Sequence, residues 1–368
     1  MILLKSAVSI RRARGNGRIP RLTYRLDRSY TWNYSHGPVL ARRPAKVPAG
    51  PGGLLFDLPL NSTLGIASGP LLNSKWVEAY AHLGFDILTY ATVRSVARPA
   101  HALPNIVAVE NRHEAAVVRS GTHGDQAMTF AISTGLPSMD PSVWRKDVRR
   151  AKDRLARGQI LAVGVVGTPV DGGDAEALAL DYARCAAWAA EAGADVIAVH
   201  LVGPDLEGGH GQVLFENART AAHIVARVRA QVDRPIVATL GAFRSPRLLH
   251  ETMTKLAPWV HGFSLVHGIQ RRVVDREGRP VFEGGQRDVA TVVGADTYAA
   301  SSRQVEEALA WRKAGDWQRA ILAAGGITSV ARVLGSLRAG VDAVLVSTGA
   351  LADPLLAFQF RRARRTAA

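Results

Sequence analysis

Short, nearly continuous apolar runs alternate with longer amphipathic stretches through most of the chain, the pattern of buried parallel strands each followed by a helix. Strands are expected over 64–68, 86–92, 160–166, 195–201, 235–240, 260–265, 320–324 and 342–346, and helices over 74–83, 141–157, 176–192, 217–232, 247–256 and 329–339. Eight such alternations within about 300 residues predict one closed (β/α)8 barrel, an α/β fold. The competing doubly wound open sheet lacks the early GxGxxG turn it usually carries. A stretch over 93–141 has little helical period and is expected to be a functional insertion after strand 2, lying over the barrel mouth. The chain therefore divides into a Pro/Gly-rich arm at 1–53, a barrel at 54–361 and a short tail at 362–368.

Charge changes the picture only at the ends. The formal net charge is +15, but residues 1–46 hold 11 Lys and Arg against the single acid Asp27, and Arg361, Arg362, Arg364 and Arg365 crowd the C-terminus. The body between is almost neutral, which argues against a nucleic-acid groove across the fold. The arm is either a mobile tail or a segment that packs Tyr24, Tyr30, Trp32 and Tyr34 on the barrel or touches anionic membrane peripherally. No apolar run is long enough for a transmembrane helix, and the expected location is the cytoplasm, with membrane association through the arm as the variant of it. The single cysteine, Cys185, excludes an internal disulfide and reads as a core filler in an Ala-rich helix.

The most informative stretch lies at 320–351. Two apolar strands joined through a helix make a βαβ unit whose exits, Gly325-Gly326-Ile327 and Ser347-Thr348-Gly349, fall side by side. Glycine lets backbone amides approach an anion closely, and a helix N-terminus attracts negative charge, so the paired exits read as a phosphate cradle after strands seven and eight. Tight turns alone would be the plainer explanation. No HxxxH or carboxylate-partnered histidine spacing points to a metal.

Taken in order, the strand exits resemble the dihydroorotate dehydrogenase family of FMN barrels from about Leu58 to Arg361. Ala67-Ser68-Gly69 after strand one, the run from Gly84 to Val93, the segment Ile132-Ser133-Thr134-Gly135-Leu136-Pro137 and the two glycine-bearing exits carry the likeness. The resemblance implies FMN as cofactor, held by Ala67, Ser68, Gly69, Thr239, Gly325, Gly326, Ser347, Thr348 and Gly349, with the 132–137 segment meeting a small-molecule substrate. It also implies dihydroorotate oxidation or a related dehydrogenation. A homodimer completes the expected assembly.

Departures from the family pattern gather at the chemistry. The family's catalytic base falls on Gly203, its strand-two lysine on Tyr90, its strand-five lysine on Thr239, and its substrate asparagines on Ile132, His200, Asp205 and His267. His200, His267 and Tyr90 are the candidate replacements, since two imidazoles at strand exits can titrate near neutral pH. His210, in the Gly-rich loop after strand four, is a weaker candidate. The alternative is a non-catalytic barrel that keeps FMN or another phosphate ligand.

Overall fold

The computed structural model describes residues 22–40, 46–112, 115–118, 128–169, 174–202, 213–282 and 287–366. After helix α1 (Tyr30–His36), a hairpin of β1 (Gly53–Leu55) and β2 (Leu58–Leu60) leads into β3 (Leu64–Leu71), α2 (Ser74–His82) and β4 (Ile87–Val93). Three strands follow: β5 (Ile106–Asn111), β6 (Ala116–Val118) and β7 (Thr129–Ile132). The alternation then resumes with α3 (Pro141–Asp153), β8 (Ile160–Val165), α4 (Ala175–Glu191), β9 (Val196–His200), α5 (Ala218–Arg229), β10 (Ile236–Thr239), α6 (Pro246–Leu256) and β11 (Gly262–Leu265). A second excursion, β12 (Ile269–Val274) and β13 (Val289–Gly294), precedes α7 (Tyr298–Ala314), β14 (Ala320–Ala323), α8 (Val330–Arg338), β15 (Ala343–Val346), α9 (Thr348–Ala352) and α10 (Leu356–Thr366).

Strands β3, β4, β8, β9, β10, β11, β14 and β15 close into a parallel eight-stranded barrel in chain order, with helices outside. All eight expected strands are present. Alternate residues divide between two cores because successive side chains on a strand face opposite ways. Ala67, Ile87, Ile160, Ala162, Val196, Val237, Leu322 and Leu345 fill the barrel above Leu55 and Leu60 of the basal hairpin. Their neighbours Ile66, Leu88, Leu161, Val163, Ile197, Val199 and Val344 pack against the helices. Helix starts are set by local chemistry: Asp140 before Pro141, Ser245 before Pro246 and Ser329 before Val330 each accept a backbone N–H from the first turn.

The sequence reading differs from the structure at several element boundaries, and helix α7 is not among the expected helices. Strands β4, β9 and β15 begin one residue after Asp86, Asp195 and Asp342, because these aspartates serve the barrel's lower rim. The Asp195 carboxylate accepts from Leu161 N and Lys152 Nζ, and that of Asp342 from Ile321 N and Arg312. The 93–141 stretch forms an insertion after the second barrel strand that carries regular structure. Its three strands join β12 and β13, from the connection after β11, in a second closed sheet of order β12-β13-β7-β5-β6. This small barrel has its own core of Val109, Ala116, Ala131, Val273, Phe282, Ala290 and Val292. Among the described residues no helix is long and apolar enough to cross a membrane.

Candidate functional site

Parallel pairing of β14 with β15 and of β15 with β3 places three strand exits next to one another at the C-terminal mouth. Ala67-Ser68-Gly69, Ala324 to Thr328 and Ser347-Thr348-Gly349 line one cavity with about 1190 Å³ of empty space. Every expected cofactor residue except Thr239 is on its wall. The far side is apolar, built from Phe130 and Val293 of the small barrel and from Leu22, Tyr24, Leu26 and Tyr30 of the N-terminal segment.

Glycine is a requirement of this cradle. Gly325 and Gly326 both adopt left-handed φ, +89° and +70°. A Cβ on Gly325 would lie 2.6 Å from Val266 O, and one on Gly326 would run into the Tyr298 backbone. A Cβ on Gly349 would come within 2.6 Å of Ile327 O, so only glycine lets the two exits touch. Gly69 is the converse case, with open space where its side chain would be. Helix α9 is only five residues long, so the 347–349 exit depends on local amides more than on a helix dipole. Arg332, which sequence reasoning missed, braces the cradle: its guanidinium stacks 4.3 Å over the Tyr298 ring and donates to Gly326 O at 2.7 Å. Its position in the first turn after the glycine pair was the available signal.

Two further spaces adjoin the large cavity. A chamber of about 490 Å³ is lined by residues 132–136, His200, Val202, His267, Thr291 and Val293. A cavity of about 410 Å³ inside the barrel reaches Ser68, Thr89, Thr239, Ser264 and His267. His267 borders all three. Thr239 sits in the barrel cavity, between His200 on β9 and Ser264 on β11 at the same level. His200 and His267 meet edge to face with ring centroids 4.5 Å apart.

Both imidazoles are held neutral. Burial, then the neighbouring His267 and the Arg94 charge, push His200 well below the ordinary histidine range, against a backbone hydrogen bond at Val202 that favours the charged form. Burial alone lowers His267 to about 4. Its ring is enclosed by protein, and the surface it retains faces the cavities. Ser68 Oγ and His200 Nδ1 are buried without a hydrogen-bond partner, an arrangement native proteins rarely tolerate unless something else fills the site. Gly164 makes room for Ser68, since a Cβ there would lie 2.6 Å from Ser68 Oγ.

Tyr90 is the candidate that the fold places elsewhere. Ile87 and Thr89 face into the barrel, so Tyr90, the next residue after Thr89, faces the helices, where its hydroxyl donates to Asp147 Oδ2 at 2.9 Å. It lines none of these three spaces, and burial raises its hydroxyl pKa well above the usual value. Thr89 is the polar strand-two side chain on the barrel cavity. Gly203, Asp205 and His210 lie outside the described residues.

Fold and cavity define a class, a (β/α)8 barrel with glycine-bearing exits gathered around a mouth cavity. A dihydroorotate dehydrogenase of Dictyostelium discoideum is 25% identical over 363 residues, spanning 92% of this chain and 96% of that protein. The crystal structure of dihydroorotate dehydrogenase from Eimeria tenella, in complex with ferulenol, shares the fold with a TM-score of 0.66 at 15% identity, covering 92% of this chain and 90% of that one. No protein-family model matches the chain. The chain is a distant, divergent homologue of dihydroorotate dehydrogenase and shares its barrel fold.

Proposed function

We propose that the chain is an FMN-dependent oxidoreductase of the dihydroorotate dehydrogenase type, working with a changed acid/base set. The supporting observation is the convergence of three rim exits on one cavity that meets, at His267, the chamber holding His200. Main-chain amides at Gly325, Gly326 and Gly349 suit the anionic end of a mononucleotide, and unpartnered Ser68 Oγ suits a polar ring edge. Bound FMN would supply a hydride acceptor and donor. His200 and His267, each neutral with one N–H and one free lone pair, can take a proton from a substrate carbon or return it. The apolar side chains of Leu22, Tyr24, Leu26 and Tyr30 would shield a ring bound in the cavity from water.

The test is whether FMN accompanies the purified protein at one equivalent, read from its visible spectrum and from flavin released on denaturation. A folded, colourless protein that takes up no added FMN would end the proposal. A second reading, a flavin-binding module without turnover, is favoured by the position of Tyr90 on Asp147 and by Thr239 in place of a cation. Anaerobic mixing with dihydroorotate and with uncharged dihydro-heterocycles separates the two. Bleaching by any of them establishes turnover, and retained colour with all of them supports the module.

A further inference from the structure

We infer that the chamber beside the two histidines takes a small uncharged ring, such as a cyclic imide, a lactam or a conjugated cyclic ketone, and discriminates against a carboxylate-bearing one. This rests on the flavoenzyme reading and adds the substrate class to it.

The wall carries the inference. Its described lining consists of Ile132, Ser133, Thr134, Gly135, Leu136, Val202, Thr291, Val293, His200 and His267, with no Lys, Arg, Asp or Glu among them. Two guanidiniums come near, and both brace the 133–138 loop from outside the lining. Arg94 donates to Leu136 O at 2.9 Å and Gly167 O at 2.8 Å. Arg287 donates to Ser133 O at 3.2 Å and Pro104 O at 3.4 Å. Burial, then the neighbouring His267 and the Arg94 charge, keep the His200 imidazole neutral, so it presents the ligand with no cation.

A carboxylate set against this lining loses water and meets no ionised side chain among the described lining residues, which weakens binding. An uncharged ring meets the opposite balance. Hydroxyls at Ser133, Thr134 and Thr291 and two neutral imidazoles offer both donors and acceptors to a carbonyl and N–H edge. Ile132 and Val293 cover the ring faces, and the same two residues, with Thr134, Leu136 and His267, form the partition shared with the large cavity. A ring seated there lies against whatever fills that cavity.

Isothermal titration of the holoprotein with orotate, orotate methyl ester and uracil tests this without turnover. The flavin spectrum of the same sample is recorded first, so that loss of cofactor, which defeats the parent reading, is told apart from failure of the substrate class. The expected result is that the ester or uracil binds at least about tenfold more tightly than orotate. Thr134→Lys, which places a cation on the wall, should reverse the order. Orotate binding as tightly as its ester, or no binding by either uncharged ring, overturns the inference.

Discussion

At the scale of single residues, one glycine and one histidine make the sharpest predictions. Gly326 holds a left-handed φ with Tyr298 where a side chain would go, so Gly326→Val must displace either the turn or the start of α7. Because that turn is the anion cradle of the proposed reading, FMN affinity should fall at least about tenfold while the protein loses on the order of 1–3 kcal/mol of stability. Flavin content beside a urea titration reads both, and full flavin retention would contradict the cradle. His267 is neutral in the fold, with its pKa brought from 6.5 down to about 4. The unfolded chain therefore binds more protons between those values, and stability contributed by the neutral ring is complete above the unfolded pKa and is lost as pH falls toward 4. The loss amounts to about 3 kcal/mol at most. Denaturation at pH 7, 5.5 and 4.5 should show a shallower decline for His267→Gln than for the parent. Equal slopes would mean that the ring is not desolvated. Residue-level reading of the sequence failed at Tyr90, and the reason is the pleat: an alignment offset of one residue moves a side chain from the barrel interior to the helix layer. Only the fold shows that Thr89, not Tyr90, faces inward.

At the scale of elements, the barrel strands were legible because burial on both faces writes them as unbroken apolar runs. The small barrel was not. Its strands are short and half exposed, as in Ile106–Asn111, where only Val109 is buried, and Ile269–Val274, which carries Arg271 and Arg272. Neither gives a clean alternation, and the pairings that close the sheet, β6 with β12 and β7 with β13, join segments more than a hundred residues apart in sequence. Helix α10 shows the opposite case, in which charge conceals a structural role. Its arginines read as a basic tail, yet Arg361 is buried, with its guanidinium 2.6 Å from the fully buried Asp86 carboxylate and donating also to Pro48 O. Ser62 Oγ completes the set at 2.6 Å from the same carboxylate. Burial raises the Asp86 pKa, and the Arg361 charge and the hydrogen bonds oppose that rise. Arg361→Met would leave a carboxylate sealed beneath the barrel without its counter-ion, at a cost of about 3–5 kcal/mol. Urea denaturation measures it, and Asp86→Asn combined with Arg361→Met should recover much of the loss. A single variant as stable as the parent would show that water replaces the guanidinium.

At the scale of the molecule, the N-terminal segment joins the site to parts of the chain far from it. The sequence leaves open a mobile tail or a segment packing its aromatics on the barrel, and described residues 22–40 are tied to the barrel by specific bonds. Thr23 N donates to Leu351 O at 2.9 Å, Thr23 Oγ1 and Tyr80 OH are 2.6 Å apart, and Trp76 Nε1 donates to Asn33 O at 3.2 Å. Tyr24 packs against Trp76 with ring centroids 6.1 Å apart, and Tyr30 and Tyr34 pack on the same core. The segment thereby covers α2 and supplies Leu22, Tyr24, Leu26 and Tyr30 to the wall of the large cavity. Removing residues 1–40 would expose Trp76 and Tyr80, which are wholly buried, and open the cavity to water on that side. If the cavity holds FMN, its dissociation should accelerate by at least about tenfold, and a small quencher such as iodide should reach the flavin that remains. Destabilisation of the whole barrel could mimic the first effect. Leu26→Ser, which leaves the bonds of Thr23 and Asn33 in place and changes only a partly buried wall side chain, isolates the second. Quenching that rises in this variant without a change in the urea midpoint assigns the wall its role in excluding solvent. Quenching identical to the parent in both proteins would mean that the cofactor sits deeper, within the barrel cavity bordered by Thr239 and Ser264.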